Sequence, residues 1–358
     1  MIATTVFDGG ASVGKNSSGP QVGSTLPAYA YYAALEKQLP LQAGIEWDFA
    51  YSPIQLTASK PGDQVAFATV DAFVPLIDCQ VLETTVGPLT PLDNPLVAAA
   101  EPGSLSFPIM FSGGPCEFWP SLSYGGNITE NTGEKTRYIS GVQNPVACAS
   151  SAALGASTQP LDAWTMYLVS DWHCSSTFCN ITQAVSAACR PSHVLAKANA
   201  TVDIRPAKRM SANIIDLEQA KSEKRTIPGL SNAAMLNAFS SMTDWSDSFL
   251  AVIPNNSQLV SSAVFQLMTL EMGSDPEILF NGPLMKLALE KVYKGVMSQY
   301  GQQVLAKTAA VPLRGTSTRE EDQLFIQEGA LWAMTIAFTC LMGVCVLLLV
   351  KRPKPLLP

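Results

Sequence analysis

Histidine is almost missing from this chain: two occur in 358 residues, His173 and His193. A Ser-His-Asp triad would have to use one of them, and neither a G-x-S-x-G elbow nor an H-E-x-x-H helix accompanies them. Charge is scarce too. Asp, Glu, Lys and Arg make up 14% of the residues, against about a quarter in ordinary domains. The 29 acids outnumber the 22 bases, for a formal net charge of −7. Without a basic stripe, nothing here suits nucleic acid. The opening MIATTVFDGGASVGKNSSG also lacks the basic and apolar regions of a signal peptide. The expectation is that Met1 is not the natural start and that an upstream span precedes it.

Long apolar runs are missing as well, with one exception. Gly329 to Val350 is 22 positions without a charge, followed at once by Lys351, Arg352, Pro353 and Lys354. About 20 apolar residues in a helix cross a bilayer core. The run reads as a transmembrane helix at 329–350, which makes the lipid bilayer its partner. Short basic flanks stay on the cytosolic side. That puts residues 351–358 in the cytosol and residues 1–328 outside or in a lumen. The opposite arrangement, a tail-anchored protein with a cytosolic domain, is the alternative.

The cysteines favour the first arrangement. Of eight, Cys340 and Cys345 lie in the apolar run. Cys79, Cys116, Cys148, Cys174, Cys179 and Cys189 all precede it. An even set ahead of a span reads as disulfides in an oxidising compartment. Sequence alone does not choose among the 15 possible connectivities. N-x-S/T acceptors at Asn16, Asn127, Asn180, Asn199 and Asn255 point outward as well. The competing reading of the same thiols is zinc held by Cys174, Cys179, Cys189 and His193. It needs a reduced compartment, and no standard ligand spacing fits it.

Abundant Pro (25) and Gly (24) suit a turn-rich secreted domain. The expected fold class is α+β: a strand-rich sandwich or mixed sheet, then a helical part and the C-terminal span. The boundaries read as a flexible segment at 1–25, the strand-rich disulfide-bonded part at 26–205 and a polar linker at 206–228. A helical part at 229–307 and a stalk at 308–328 follow. Strands are expected at Val65–Val74, Leu105–Phe111, Trp164–Trp172 and Val194–Ile204, and an early helix near Ala28–Gln38. Ser112-Gly113-Gly114-Pro115 marks a turn. Ser231 is placed to cap a helix carrying Met235, Leu236, Phe239 and Met242, and Leu259–Met272 gives a second. Asn281-Gly282-Pro283 opens a third. Its stripe of Met285, Ala288, Leu289, Val292, Tyr293, Val296, Tyr300 and Val304 marks a core-facing side.

Motifs that carry chemistry are few. Gly9–Lys15 (GGASVGK) nearly matches a phosphate loop, but Asn16 stands where the Mg²⁺-binding hydroxyl belongs and a loop follows in place of a helix. Asp71, Asp78, Asp162 and Asp171 are carboxylates of the kind glycosidases pair, although no spacing selects a pair. Lys208-Arg209 and Lys224-Arg225 are dibasic and read as solvated charges. No catalytic, cofactor or metal residue is assigned.

Cys189-Arg190-Pro191 and Ala198–Asp203 precede a polar linker, Trp245–Leu250, a helical block to Val304, and a span closing on Lys351-Arg352-Pro353. This order resembles the extracytoplasmic segment and following span of large multi-pass membrane proteins of filamentous fungi, a family of unknown function. The resemblance covers about residues 60–355. It implies an outer domain held between spans, with no catalytic residues to carry over, and a truncated or split member here. The expected role is non-enzymatic: structural, sensing or interaction at a fungal cell surface or endomembrane, with the protein or cell-wall partner unidentified. The alternative is a membrane-tethered, carboxylate-dependent glycoside hydrolase.

Overall fold

The computed structural model describes residues 2–7, 26–52, 55–56, 63–87, 90–91, 105–114, 122–125, 138–147, 163–174, 179–203, 210–243, 263–313, 316–319 and 328–350. The elements begin with β1 (Ile2–Phe7), α1 (Leu26–Lys37), β2 (Ala50–Tyr51), β3 (Gln55–Leu56) and β4 (Asp63–Val86). Next come β5 (Thr90–Pro91), β6 (Leu105–Ser112), β7 (Leu122–Gly125), β8 (Tyr138–Ala147), β9 (Ala163–Cys174), β10 (Cys179–Asp203) and β11 (Met210–Ile214). The remainder are α2 (Leu217–Ser222), α3 (Asn232–Thr243), α4 (Ala263–Glu271), α5 (Gly282–Tyr300), β12 (Ala306–Leu313), β13 (Thr316–Arg319) and α6 (Glu328–Val350).

The fold is α+β. Its spine is a sheet in the order β5-β6-β4-β10-β9-β8, with every neighbouring pair antiparallel. A smaller sheet runs β12-β1-β3. The centre is the β4–β10 ribbon, paired without a break from Val65↔Asp203 to Leu82↔Ser186. Strand alternation gives this ribbon two buried faces. Near its middle, Phe73, Cys79, Ala187 and Cys189 face a core shared with α1, α3, α4 and α5. Toward the other end, Ala68, Val70, Ala72, Ala196, Ala198 and Ala200 turn to a second core with Phe49 and Tyr51. Small side chains there let the covering segments approach closely.

Two prolines sit inside this central ribbon, Pro75 opposite His193 and Pro191 opposite Ile77. A proline cannot donate to a ladder, so it belongs where one edge of a strand is open. Among the described residues, the outer edge of β4 is paired by β2 as far as Phe73 and by β6 only from Glu83. The outer edge of β10 is paired by β9 to Cys189 and by β11 from Ala198. Both prolines fall in these gaps.

The helices follow their sequence signals. The Asn281 side chain caps α5 by accepting from Leu284 N–H at 3.3 Å, and Met285, Ala288, Leu289, Val292, Tyr293, Val296 and Tyr300 are fully buried. Ser231 Oγ accepts from Ala234 N–H at 3.1 Å and caps α3. Residues 206–228, expected as a linker, carry β11 and α2: Ala212 is buried, and the strand pairs with β10. Its alternation is short and set among charges. Residues 308–328, expected as a stalk, carry most of β12, which pairs with β1, and all of β13, which pairs with β4. The strand β1 itself lies inside the segment expected to be flexible. Strand-rich and helical parts thus share one core, where α1 packs on α5.

The helix α6 coincides with the apolar run of the sequence. Its described side chains run from Thr335 to Val346, and all are exposed. Over described residues, no helix is long and apolar enough to cross a membrane, so the expected span is not supported there.

Candidate functional site

The β4–β10 register sets Cys79 opposite Cys189, and the two form a disulfide between buried side chains. Asp78 and Arg190 lie opposite each other beside it, 3.9 Å apart, and the Arg190 guanidinium stands 5.2 Å from the Trp164 ring centre. This bridge consumes one of the four groups of the zinc alternative. Among the described residues, no three His, Cys, Asp or Glu are grouped to hold a metal. Cys174 ends β9 and Cys179 begins β10, and they are direct register partners. Cys116 and Cys148 lie outside the described residues.

His193 lies on β10 between the stretches paired by β9 and by β11, and is buried. Its Nε2 accepts from Ile227 N–H at 3.1 Å, and Leu195 N–H donates to Arg225 O at 2.8 Å. The segment 225–227 therefore completes the edge that no strand covers. Burial pushes the His193 imidazole down to about 4. With Nε2 accepting, the neutral ring carries its proton on Nδ1, which has no partner among the described residues. Asp216 anchors the same loop. It accepts from Lys197 N–H and from Arg225, each at 2.6 Å. Burial pushes its carboxyl up, but those bonds and the two cations outweigh burial and hold it below the usual range. Lys224-Arg225 is thus part of a tied-down turn, whereas Lys208-Arg209 lies outside the described residues.

Beneath α5 the core is unusually polar. The hydroxyls of Tyr167, Tyr293 and Tyr300, both amide atoms of Gln266 and Thr165 Oγ1 are buried without a hydrogen-bond partner among the described residues. Burial pushes the Tyr300 phenol up to about 12 and raises Tyr167 and Tyr293 as well. Phe239 sits between the last two, with ring centres at 6.4 Å from Tyr167 and 5.1 Å from Tyr293. At the rim, Tyr31 donates to Glu271, which lies 3.6 Å from Lys291 Nζ, so α1, α4 and α5 are joined. The sequence reading placed Tyr293 and Tyr300 on a packing stripe. Their position is as expected, but spacing carries no signal for a missing hydrogen-bond partner.

Three of the four carboxylates considered for hydrolysis are engaged. Asp71 pairs with Lys197 across the ribbon, Asp78 with Arg190, and Asp171 accepts from Thr182 Oγ1 at 3.2 Å. Asp162 and the glycine-rich stretch Gly9–Lys15 lie outside the described residues. So do the acceptors Asn16, Asn127 and Asn255. Asn180 sits in β10 opposite His173. Asn199 is exposed on the same strand, and its Oδ1 accepts from Thr69 Oγ1 at 3.0 Å.

No family model matches the chain, and no curated protein or solved structure is significantly similar to it. The resemblance to fungal membrane proteins gains nothing from these comparisons.

Proposed function

We propose that residues 1–328 form an extracytoplasmic, non-enzymatic domain held on a membrane by α6, with a structural, sensing or interaction role at a cell surface or endomembrane. The observation that carries this reading is the buried Cys79–Cys189 bridge in the middle of the central ribbon. Such a bond persists in oxidising compartments and is rare in the cytosol. The anchor rests on the charge-free run within α6 and the basic residues after it. Where its side chains are described they are exposed and mostly apolar, for example Phe338 at 76% and Leu341 at 68%, and exposed apolar surface of that kind marks a contact. The resemblance to filamentous-fungal membrane proteins agrees with this placement. The pairings of Asp71, Asp78 and Asp171 support structural roles for those acids.

The test is to express the chain in a fungal host and treat sealed membranes with protease and endoglycosidase. The expected result is a domain protected from protease until detergent is added, with a glycosidase shift and resistance to carbonate extraction. A membrane-bound chain that is protease-sensitive in sealed vesicles and carries no glycan would instead make the domain cytosolic and tail-anchored.

A further inference from the structure

We infer that Cys174 and Cys179 form a second disulfide, which closes the end of the β9–β10 hairpin. The inference rests on the extracytoplasmic reading and adds the pairing. The ladder from Cys179↔Cys174 to Cys189↔Thr165 sets these two cysteines directly opposite each other, at its last position. Opposed residues of an antiparallel pair have Cα atoms about 4.5 or 5.5 Å apart, depending on whether the position is hydrogen-bonded. Both values fall in the usual disulfide range of about 4.4–6.8 Å. The Cys79–Cys189 bridge, at 4.1 Å between Cα atoms, shows the same cross-strand arrangement in the adjoining β4–β10 pair of the same sheet. It also narrows the choice. Four remaining cysteines allow three connectivities, and only the one joining Cys174 to Cys179 uses a register pair among the described residues. That connectivity leaves Cys116 to Cys148.

The chemistry is ordinary exchange with the disulfide of a thiol–disulfide oxidoreductase. The Cys174 thiolate attacks one sulfur of that disulfide, and the oxidoreductase's second thiolate leaves. The Cys179 thiolate then attacks the Cys174 sulfur of the mixed disulfide, and the oxidoreductase departs as the dithiol. The two thiol protons end, by way of solvent, on the oxidoreductase's two sulfurs, and the two electrons go with them.

Phe178 makes the pair readable, because chymotryptic cleavage there cuts the backbone between the two cysteines. The full chain is purified from fungal membranes with free thiols blocked by N-ethylmaleimide, deglycosylated, digested without reductant and mapped by mass spectrometry. The expected result is one species joining the Cys174 and Cys179 peptides, free of maleimide, that separates on reduction. In Cys174→Ser, Cys179 should pass from essentially unlabelled to nearly fully maleimide-labelled while the Cys79–Cys189 link persists. Three results would overturn the inference. Maleimide on Cys174 and Cys179, with Cys79 still linked to Cys189, removes the pairing and leaves the extracytoplasmic reading intact. Linkage of either cysteine to Cys116 or Cys148 does the same. Maleimide on all six cysteines removes the pairing and that reading together.

Discussion

Single buried polar groups are where this chain departs most from what a hydrophobic pattern implies. His193 has consequences for pH. Its imidazole sits at about 4 in the native chain, against 6.5 for the free side chain. Between those values the unfolded chain binds a proton that the native chain does not. Stability from this group is therefore full above about pH 6.5, falls as pH drops, and levels near pH 4, a loss of up to about 3 kcal/mol. His193→Gln should flatten that slope, since an amide oxygen can still accept from Ile227. Thermal midpoints at about pH 4.5 and 7.5 read it, and an unchanged slope in the variant would move the titration to another group. Tyr293 gives a second case. A buried hydroxyl without a partner costs free energy, whereas a phenylalanine of the same shape does not. Tyr293→Phe should leave stability unchanged or raise it by about 1 kcal/mol in urea unfolding. A loss of similar size would mean that the hydroxyl is bonded in solution to a water or ligand in that core.

Among the elements, α5 is the one on which the others are assembled, and Gly295 is its tightest point. A Cβ there would lie 2.0 Å from the Tyr31 ring, and Tyr31 is fully buried. The ring cannot yield without breaking its bond to Glu271 and lifting α1. Gly295→Ala should cost about 1–3 kcal/mol as overpacking and raise amide exchange in α1 more than in β4 or β10. Uniform exchange would place the strain elsewhere. This helix was legible in the sequence because cap, first-turn proline and apolar stripe all agree. The central strands were legible only in part. Val65–Val74 and Val194–Ile204 are the runs that stand out, yet β4 continues past Pro75 and β10 begins well before Pro191. In sequence a proline reads as the end of a strand. It does not end these strands because their outer edges are open where the prolines sit, a fact of topology that no local pattern contains. β11 was missed for the opposite reason: its five residues are too few to show an alternation among so many charges.

At the scale of the whole molecule, the long ribbon holds together parts that are far apart in sequence. Cys79 and Cys189 are separated by 110 residues, and nothing in their spacing selects that pair from the 15 connectivities. The pair becomes determined only once β4 and β10 are in register, so this part of the candidate site was legible as a set of residues and not as a bond. Loop length also sets its value. Closing a loop of this size lowers the entropy of the unfolded chain, worth about 4–5 kcal/mol in the chain-entropy model. The Cys79→Ala, Cys189→Ala double variant of the full chain, in mild detergent, should lose stability on that scale, read as a lower thermal midpoint. Reductant should bring the wild-type chain at least as low. A wild-type midpoint that ignores reductant would mean that the bridge is absent in solution. Reductant acting on the double variant as well would reveal a further disulfide. A link between cysteines five apart, such as Cys174 and Cys179, constrains the unfolded chain far less than one between cysteines 110 apart. The second shift should therefore be the smaller, and Cys174→Ser in the double-variant background should reduce it.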